Sequence, residues 1–391
     1  MRKISADLIL PVDRDPIKEG VLIVDESGQI LSIDNREAHD RPSLEIYTGA
    51  IVPGFVNTHC HLELSHMKGK VDTGTGLIPF IKNVVQFRDF PEEVIQAAII
   101  AADKEMYEEG VVAVGDISNK IDTAACKRKS AIRYYTFVEM FDFLQDAGAS
   151  TEFTKYKAVY DEQADGNGNR KSGVPHAPYS VSETLFGMLN SMNTEPCTVS
   201  IHNQETLEEH RLFMDKTGGF LDFYGGFGIT LDAFEATGQP SIHYALKHMD
   251  PAQRSLFVHN TTTTAADIRA AQDWSDQVYW ATCPNANLYI ENRLPDYQAF
   301  LDTEARLTIG TDSLTSNWQL SVLEEMKTIA RYQSFLSFET LLRWATLNGA
   351  QALGFDDELG SITVGKRPGL VLLNLEAGMQ LSAATRAKRI V

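Results

Sequence analysis

The chain has 391 residues with 35 basic and 53 acidic side chains, a formal net charge of −18. That balance, with no basic stripe along the sequence, excludes a nucleic-acid partner and describes an acidic surface. No apolar stretch is long enough for a membrane span, no signal-peptide core follows Arg2 and Lys3, and Cys60, Cys126, Cys197 and Cys283 are too scattered for a disulfide framework, so a reduced, cytoplasmic protein is expected.

The first fifty residues hold short β runs, Ala6 to Leu10 and Val21 to Val24, broken by Asp-Arg-Asp and Glu-Ser-Gly turns. The apolar run Ala50 to Val56 reads as a buried strand leading into His59, Cys60 and His61. Strand side chains alternate faces, so His59 and His61 project to one side while Cys60 points away as a small buried residue. Two adjacent imidazoles make half of a metal site. In the His-Leu-Glu-Leu-Ser that follows, Glu63 is placed either to bind substrate hydroxyls or to sit as a solvated loop charge. Phe80 to Arg88 shows helical spacing and reads as a packed helix, and Glu92 to Glu109 as a scaffold helix.

Further β runs each end near a polar residue capable of chemistry. Val111 to Val114 ends near Asp116, and Tyr134 to Val138 ends at Glu139. Gly173 to Pro175 leads into His176 after the segment 165–169, whose Gly and Asn content marks a flexible loop. Thr198 to Ile201 ends in His202 with Glu205 three residues on. Leu256 to Val258 ends in His259, Val278 to Ala281 is a seventh strand, and Leu307 to Thr311 ends in Asp312. Phe338 to Leu353 reads as another helix. Parallel barrels gather their active sites at the C-terminal ends of the strands, which would bring His59, His61, His202 and Asp312 to one point. Such nitrogen and oxygen ligands suit zinc or ferrous iron. His39, His66, His210, His243 and His248 follow no apolar strand and read as surface or helix residues. No internal repeat is present.

Taken together, the His-x-His, His202 with Glu205, His259 and the Gly-Thr-Asp ending at Asp312 resemble the amidohydrolase superfamily, in its mononuclear deaminase and chlorohydrolase branch, over nearly the whole chain. Pro175-His176-Ala177-Pro178-Tyr179-Ser180 resembles that branch's strand-4 motif. Cys283-Pro284-Asn285-Ala286-Asn287 resembles its strand-7 motif, where a Ser more often stands in place of Ala286. Leu359 to Lys366 resembles the strand pair that returns such chains to a small β-sandwich, with Pro368-Gly369 replacing the usual Ala-Asp. The implied fold is α/β: a (β/α)8 TIM-like barrel over 53–358 and a small discontinuous β-sandwich built from 1–52 and 359–391, which a chain of this length accommodates.

The resemblance also implies one divalent metal per chain, zinc first with iron as the alternative, held by His59, His61, His202 and Asp312. His176 stands where binuclear members carry a bridging carboxylated Lys or Glu, and in the resembling branch this position contacts substrate. Glu139 would bridge only if the strand count is one out, and is otherwise a carboxylate standing behind the ligands or on the barrel rim. Superfamily likeness suggests a homodimer.

A divalent metal lowers the pKa of bound water to about 7. Asp312 would ligate it and accept the water proton, His259 would hold or polarise the attacking hydroxide, and Glu205 would act as general acid and base at the ring nitrogen and the departing amine. A cytidine-deaminase type of zinc site is excluded, because Cys283-Pro284 lacks the second cysteine of Pro-Cys-x-x-Cys. The expected activity is hydrolytic deamination of an aminopurine or purine-nucleoside-like small molecule, and the His-Leu-Glu-Leu-Ser loop is most similar to aminodeoxyfutalosine deaminases. Two alternatives remain: a chlorohydrolase or aminohydrolase of a triazine- or pterin-like ring, and an inactive scaffold of amidohydrolase fold. The retained ligands, Glu205 and His259 argue against the scaffold.

Overall fold

The computed structural model describes residues 1–163, 165–376 and 378–391. Strands β1 (Arg2–Ile9), β2 (Ile17–Lys18), β3 (Gly20–Val24), β4 (Ile30–Asn35) and β5 (Glu45–Pro53) come first. Then follow β6 (Phe55–Cys60), β7 (Val111–Ser118), β8 (Arg133–Met140) and β9 (Arg170–Pro175), and after them β10 (Thr198–Asn203), β11 (Arg254–His259), β12 (Val278–Thr282) and β13 (Leu307–Ile309). The chain closes with β14 (Leu370–Leu373) and β15 (Ala387–Arg389).

The two ends of the chain combine in one seven-stranded mixed sheet, ordered β15-β14-β5-β1-β3-β4 with β2 on β1. It is a single sheet where a two-layered sandwich was expected. Leu359 to Lys366 is not a strand pair either. It runs as turns and bends that reach β4 only through Ile30 N–H to the Lys366 carbonyl and Gly365 N–H to the Ile30 carbonyl.

Passage from this sheet to the parallel strands occurs at Gly54, so the single strand expected over Ala50 to Val56 is two, β5 and β6. A Cβ at Gly54 would lie 2.2 Å from Val112 Cγ1 and 2.8 Å from the Pro368 carbonyl, a space only glycine fits.

Strands β6 to β13 are all parallel, in two sheets of four ordered β6-β7-β8-β9 and β10-β11-β12-β13. Runs such as Val111 to Val114 and Leu256 to Val258 are buried on both faces, as strands covered by helices on one side and a core on the other must be. The expected eight-stranded ladder is not closed. At one seam His202 N–H reaches the His176 carbonyl at 2.9 Å, and at the other the N–H groups of Thr311 and Asp312 reach the His59 carbonyl at 2.9 and 3.0 Å. With only three residues, β13 is too short to zip along β6, and a lone bridge between Cys60 and Asp312 marks the join.

The helix Glu92–Glu108 packs through Ile95, Ile99, Ala102 and Met106, a helical stripe. The helix expected over Phe338 to Leu353 is two, Phe338–Ala345 and Leu347–Ala352, because Thr346 leaves the helical region at φ −133°, ψ −83°. The segment 165–169, expected to be flexible, is pinned by buried Asn169, whose side chain accepts from Tyr134 N–H and donates to the Lys127 carbonyl. No helix among the described residues is long and apolar enough to cross a membrane.

Candidate active site

The residues with chemistry stand at the carboxyl ends of the parallel strands. His59 lies inside β6 and His61 one residue past it, with Nε2 atoms 3.2 Å apart. Asp312 Oδ1 is 3.7 Å from His59 Nε2 and 3.3 Å from His61 Nε2. Four donors about 2.0–2.1 Å from a tetrahedral zinc stand about 3.3 Å from one another, so the spacing suits one shared ion. Asp312 reaches this place because Gly310 lets the backbone pass close to His59. A Cβ there would fall 2.7 Å from His59 Cβ, which is the steric meaning of the Gly-Thr-Asp sequence.

His202, at the seam between the two sheets, has its ring 4.9 Å from that of His59. Its Nδ1 sits 2.9 Å from the His176 carbonyl and 3.1 Å from Glu139 Oε1, which leaves Nε2 for a metal. Among the described residues, His59, His61 and His202 form one group whose ligand atoms lie within 4.8 Å of each other, and His59, His259 and Asp312 form a second. Glu139, His176 and His202 form a third. Glu139 therefore backs His202, an arrangement that fixes ring orientation at metal sites.

The electrostatics fit metal ligation. Burial lowers His59 and His61 to about 4 against the pull of Asp312, so both imidazoles are neutral, as ligands must be. Burial opposes ionisation of Asp312, but His59, His61 and His259 outweigh it and hold the carboxyl well below the usual range. His202 goes the other way. Burial disfavours its charge, yet the Glu139 carboxylate raises it to about 9. A metal at Nε2 would take the place of that ring's second proton while Nδ1–H stays on the His176 carbonyl, beside the Glu139 carboxylate.

His259 presents Nε2 at 3.6 Å from Glu205 Oε1, and its Nδ1 lies 2.9 Å from Asn287 Oδ1. An amide oxygen can only accept, so Nδ1 carries the proton and Nε2 the lone pair. Burial lowers His259 to about 4 and raises Glu205 to about 8, the latter against the influence of His202. His176 lies 2.6 Å from Ser180 Oγ through Nδ1. Glu63 also lines the cavity, with both oxygens engaged: Oε2 accepts from the N–H groups of Asn119 and Lys120, and Oε1 from Arg88 Nη2 at 3.3 Å. It is no solvated loop charge.

Beneath His61 lies a buried ion pair. Lys127 Nζ is 2.5 Å from Asp116 Oδ2 with neither side chain exposed, and Asp116 Oδ1 accepts from Leu62 N–H at 2.8 Å. The pair fixes the turn just after the second histidine. The other histidines stand apart: His39 pairs with Asp34 and His66 Nε2–H donates to the Arg88 carbonyl at 2.9 Å, while His210, His243 and His248 ride on helices.

Above these groups opens a cavity of about 280 Å³. The helix Leu77–Phe87, expected only to pack, forms one wall with Leu77, Phe80, Ile81 and Val84, and Phe141, Phe143, Phe223 and Phe227 face it. Arg88 is the one lysine or arginine among the lining residues. Asn287, the last residue of Cys283-Pro284-Asn285-Ala286-Asn287, is the partner of His259, a role that the motif alone does not signal.

The 26% identical adenosine deaminase of Helicobacter pylori aligns over 326 residues, 82% of this chain and 78% of that protein. The structure superposes on Helicobacter pylori aminofutalosine deaminase in complex with methylthio-coformycin with a TM-score of 0.81 at 21% identity, covering 100% of both chains. It also matches an adenosine deaminase from Xanthomonas campestris with bound zinc, with a TM-score of 0.75 at 24% identity over 96% of this chain and 85% of that one. Residues 50–389 match the family described as the Amidohydrolase family, and the chain belongs to it.

Proposed function

We propose that this protein is a metal-dependent deaminase that hydrolyses the exocyclic amino group of an adenosine-like compound to release ammonia. The observation that carries the reading is the convergence of His59, His61, His202 and Asp312 with Glu205 and His259 at the floor of one apolar-walled cavity. We read the two parallel sheets as halves of one (β/α)8 barrel spanning 53–358, with the terminal segments 1–52 and 359–391 forming a separate small domain.

The four ligands would hold one divalent ion, zinc in preference to iron because hydrolysis calls for a Lewis acid and no change of oxidation state. When bound, it supplies Lewis acidity that makes hydroxide available near neutral pH. Asp312, kept ionised, takes the proton lost by water. His259 holds the nucleophile through its Nε2 lone pair. Glu205 arrives protonated, gives its proton to the ring nitrogen beside the attacked carbon, then takes up the proton of the added hydroxyl and passes it to the nitrogen that leaves, and the water proton held by Asp312 restores the Glu205 acid. The carbon–nitrogen bond breaks as the new carbon–oxygen bond becomes a carbonyl, and ammonia departs. His176 meets the ring from the strand-4 side, and Glu63 holds Arg88 in the wall.

The similar proteins of established name act on adenosine and aminofutalosine, and the cavity wall supports a nucleoside without phosphate. Aromatic and aliphatic side chains facing a single guanidinium favour an apolar group beyond the sugar. The test is ammonia release from the zinc-loaded protein with adenosine, 5′-deoxyadenosine, 5′-methylthioadenosine, aminofutalosine, AMP, a pterin and a chlorotriazine. The 5′-apolar nucleosides should exceed AMP in kcat/KM by roughly 10²-fold. Preferred turnover of the triazine or pterin, or none of any substrate, would refute the reading.

A further inference from the structure

Glu209 has no part in the chemistry assigned so far, yet it is completely buried. It is the third residue of the helix Leu207–Asp215, whose cap is Thr206. In the usual capping box the third helical residue returns its side chain to the N–H of the cap itself. Glu209 reaches past the cap: Oε1 accepts from Gln204 N–H at 3.1 Å and Oε2 from Glu205 N–H at 3.0 Å. The two amides point the same way because Gln204 sits at φ +46°, a left-handed conformation costly for a side chain other than glycine.

The other flank of this turn is held as well. Thr261 Oγ1 donates to the Glu205 carbonyl at 2.7 Å, and Thr262 N–H to the Gln204 carbonyl at 3.0 Å. Thr261 follows His259 and Asn260, both at positive φ. Glu205 and His259 are thus set against each other through their backbones, and no side-chain hydrogen bond is needed to hold the Glu205 carboxyl.

We propose that Glu209 is a positioning residue, a carboxylate clamp on two consecutive N–H groups that keeps the Glu205 carboxyl 3.6 Å from His259 Nε2. The inference rests on Glu205 being the general acid of the proposed deamination. An ionised carboxylate is the one side chain that offers two acceptors and no donor at this reach; Gln turns an NH2 group against one of the amides. If Glu209 did no more than cap its helix, its loss would cost stability without singling out the step that uses Glu205.

A double-mutant cycle separates the two roles. Glu209→Gln should keep its metal and KM while kcat falls by about tenfold to 10²-fold, and on a Glu205→Gln background it should add less than about twofold. Equal fold-losses on both backgrounds would overturn the proposal. Glu209→Asp keeps both acceptors and should recover part of the loss; it replaces Gln in the cycle if the Gln protein does not fold. Hydrogen exchange of the segment 203–206 gives a reading without substrate: the Gln204 and Glu205 amides should exchange faster in Glu209→Gln than in the wild type. Unchanged protection would overturn the clamp. A wild-type protein that releases no ammonia from any substrate counts against the deaminase reading alone, because exchange still decides whether Glu209 holds the turn.

Discussion

Replacing Glu205 by Gln removes one titratable proton and little else, since the carboxyl keeps its shape and the hydrogen bonds to the turn run through backbone atoms. With burial raising Glu205 to about 8, roughly nine in ten molecules carry the acid form at pH 7. His259 at 3.6 Å cannot take over, because it is lowered to about 4 and is neutral there. Loss of a positioned general acid costs on the order of 10²-fold or more in rate, about 2.7 kcal/mol of barrier. The sign of the pH dependence follows: the acid form is the active one, so wild-type kcat should fall as pH rises through about 8, and the Gln protein should lack that limb. The assay is single-turnover ammonia release across pH, with metal content measured on the same samples. A Glu205→Gln protein that kept its metal and lost less than about threefold in the chemical step would refute the assignment and return the proton to His176, Glu63 or Glu139.

His59→Ala and Asp312→Ala should lose metal and turnover together, and elemental analysis of the wild type should give about one ion per chain. Two ions per chain would point to the Glu139, His176 and His202 group as a second site. Asp116→Asn should lower stability by about 3–5 kcal/mol in denaturant titration, because it strands the buried Lys127 ammonium; a loss below about 1 kcal/mol would mean the pair is not fixed as described. Val84→Asp, on the wall of the cavity, should raise KM for 5′-apolar nucleosides about tenfold with kcat little changed, and an unaltered KM would remove the helix Leu77–Phe87 from the substrate site.

What was legible in the sequence was whatever a strand end displays locally. His59 and His61 could be paired by alternation alone, and His202, His259 and Asp312 each follow an apolar run, which is enough to send them to one rim. The partners that tune them were not legible. Glu139 backs His202 from 63 residues away and Asn287 orients His259 from 28 residues away, and no local pattern links such positions. Phe80, Ile81 and Val84 have the spacing of a packed helix, and periodicity does not tell whether an apolar face meets protein or a cavity. The strand ladder was expected to be closed because the resemblance implies a (β/α)8 barrel; the three residues of β13 and the approach of Gly310 to His59 leave that seam to single hydrogen bonds.

The mixed terminal sheet has a consequence for how the molecule is made. β5 pairs on one side with β1 and on the other with β14, through Leu370 opposite Pro53 and Leu373 opposite Ala50. As the polypeptide emerges from the ribosome, β1 to β5 can assemble at once, but the outer edge of β5 must wait until nearly the whole chain has been synthesised. Throughout that interval a strand containing Ala50, Ile51 and Val52 presents open backbone groups, the kind of edge that recruits other chains. An edge left open until β14 is made favours association between unfinished chains over that interval.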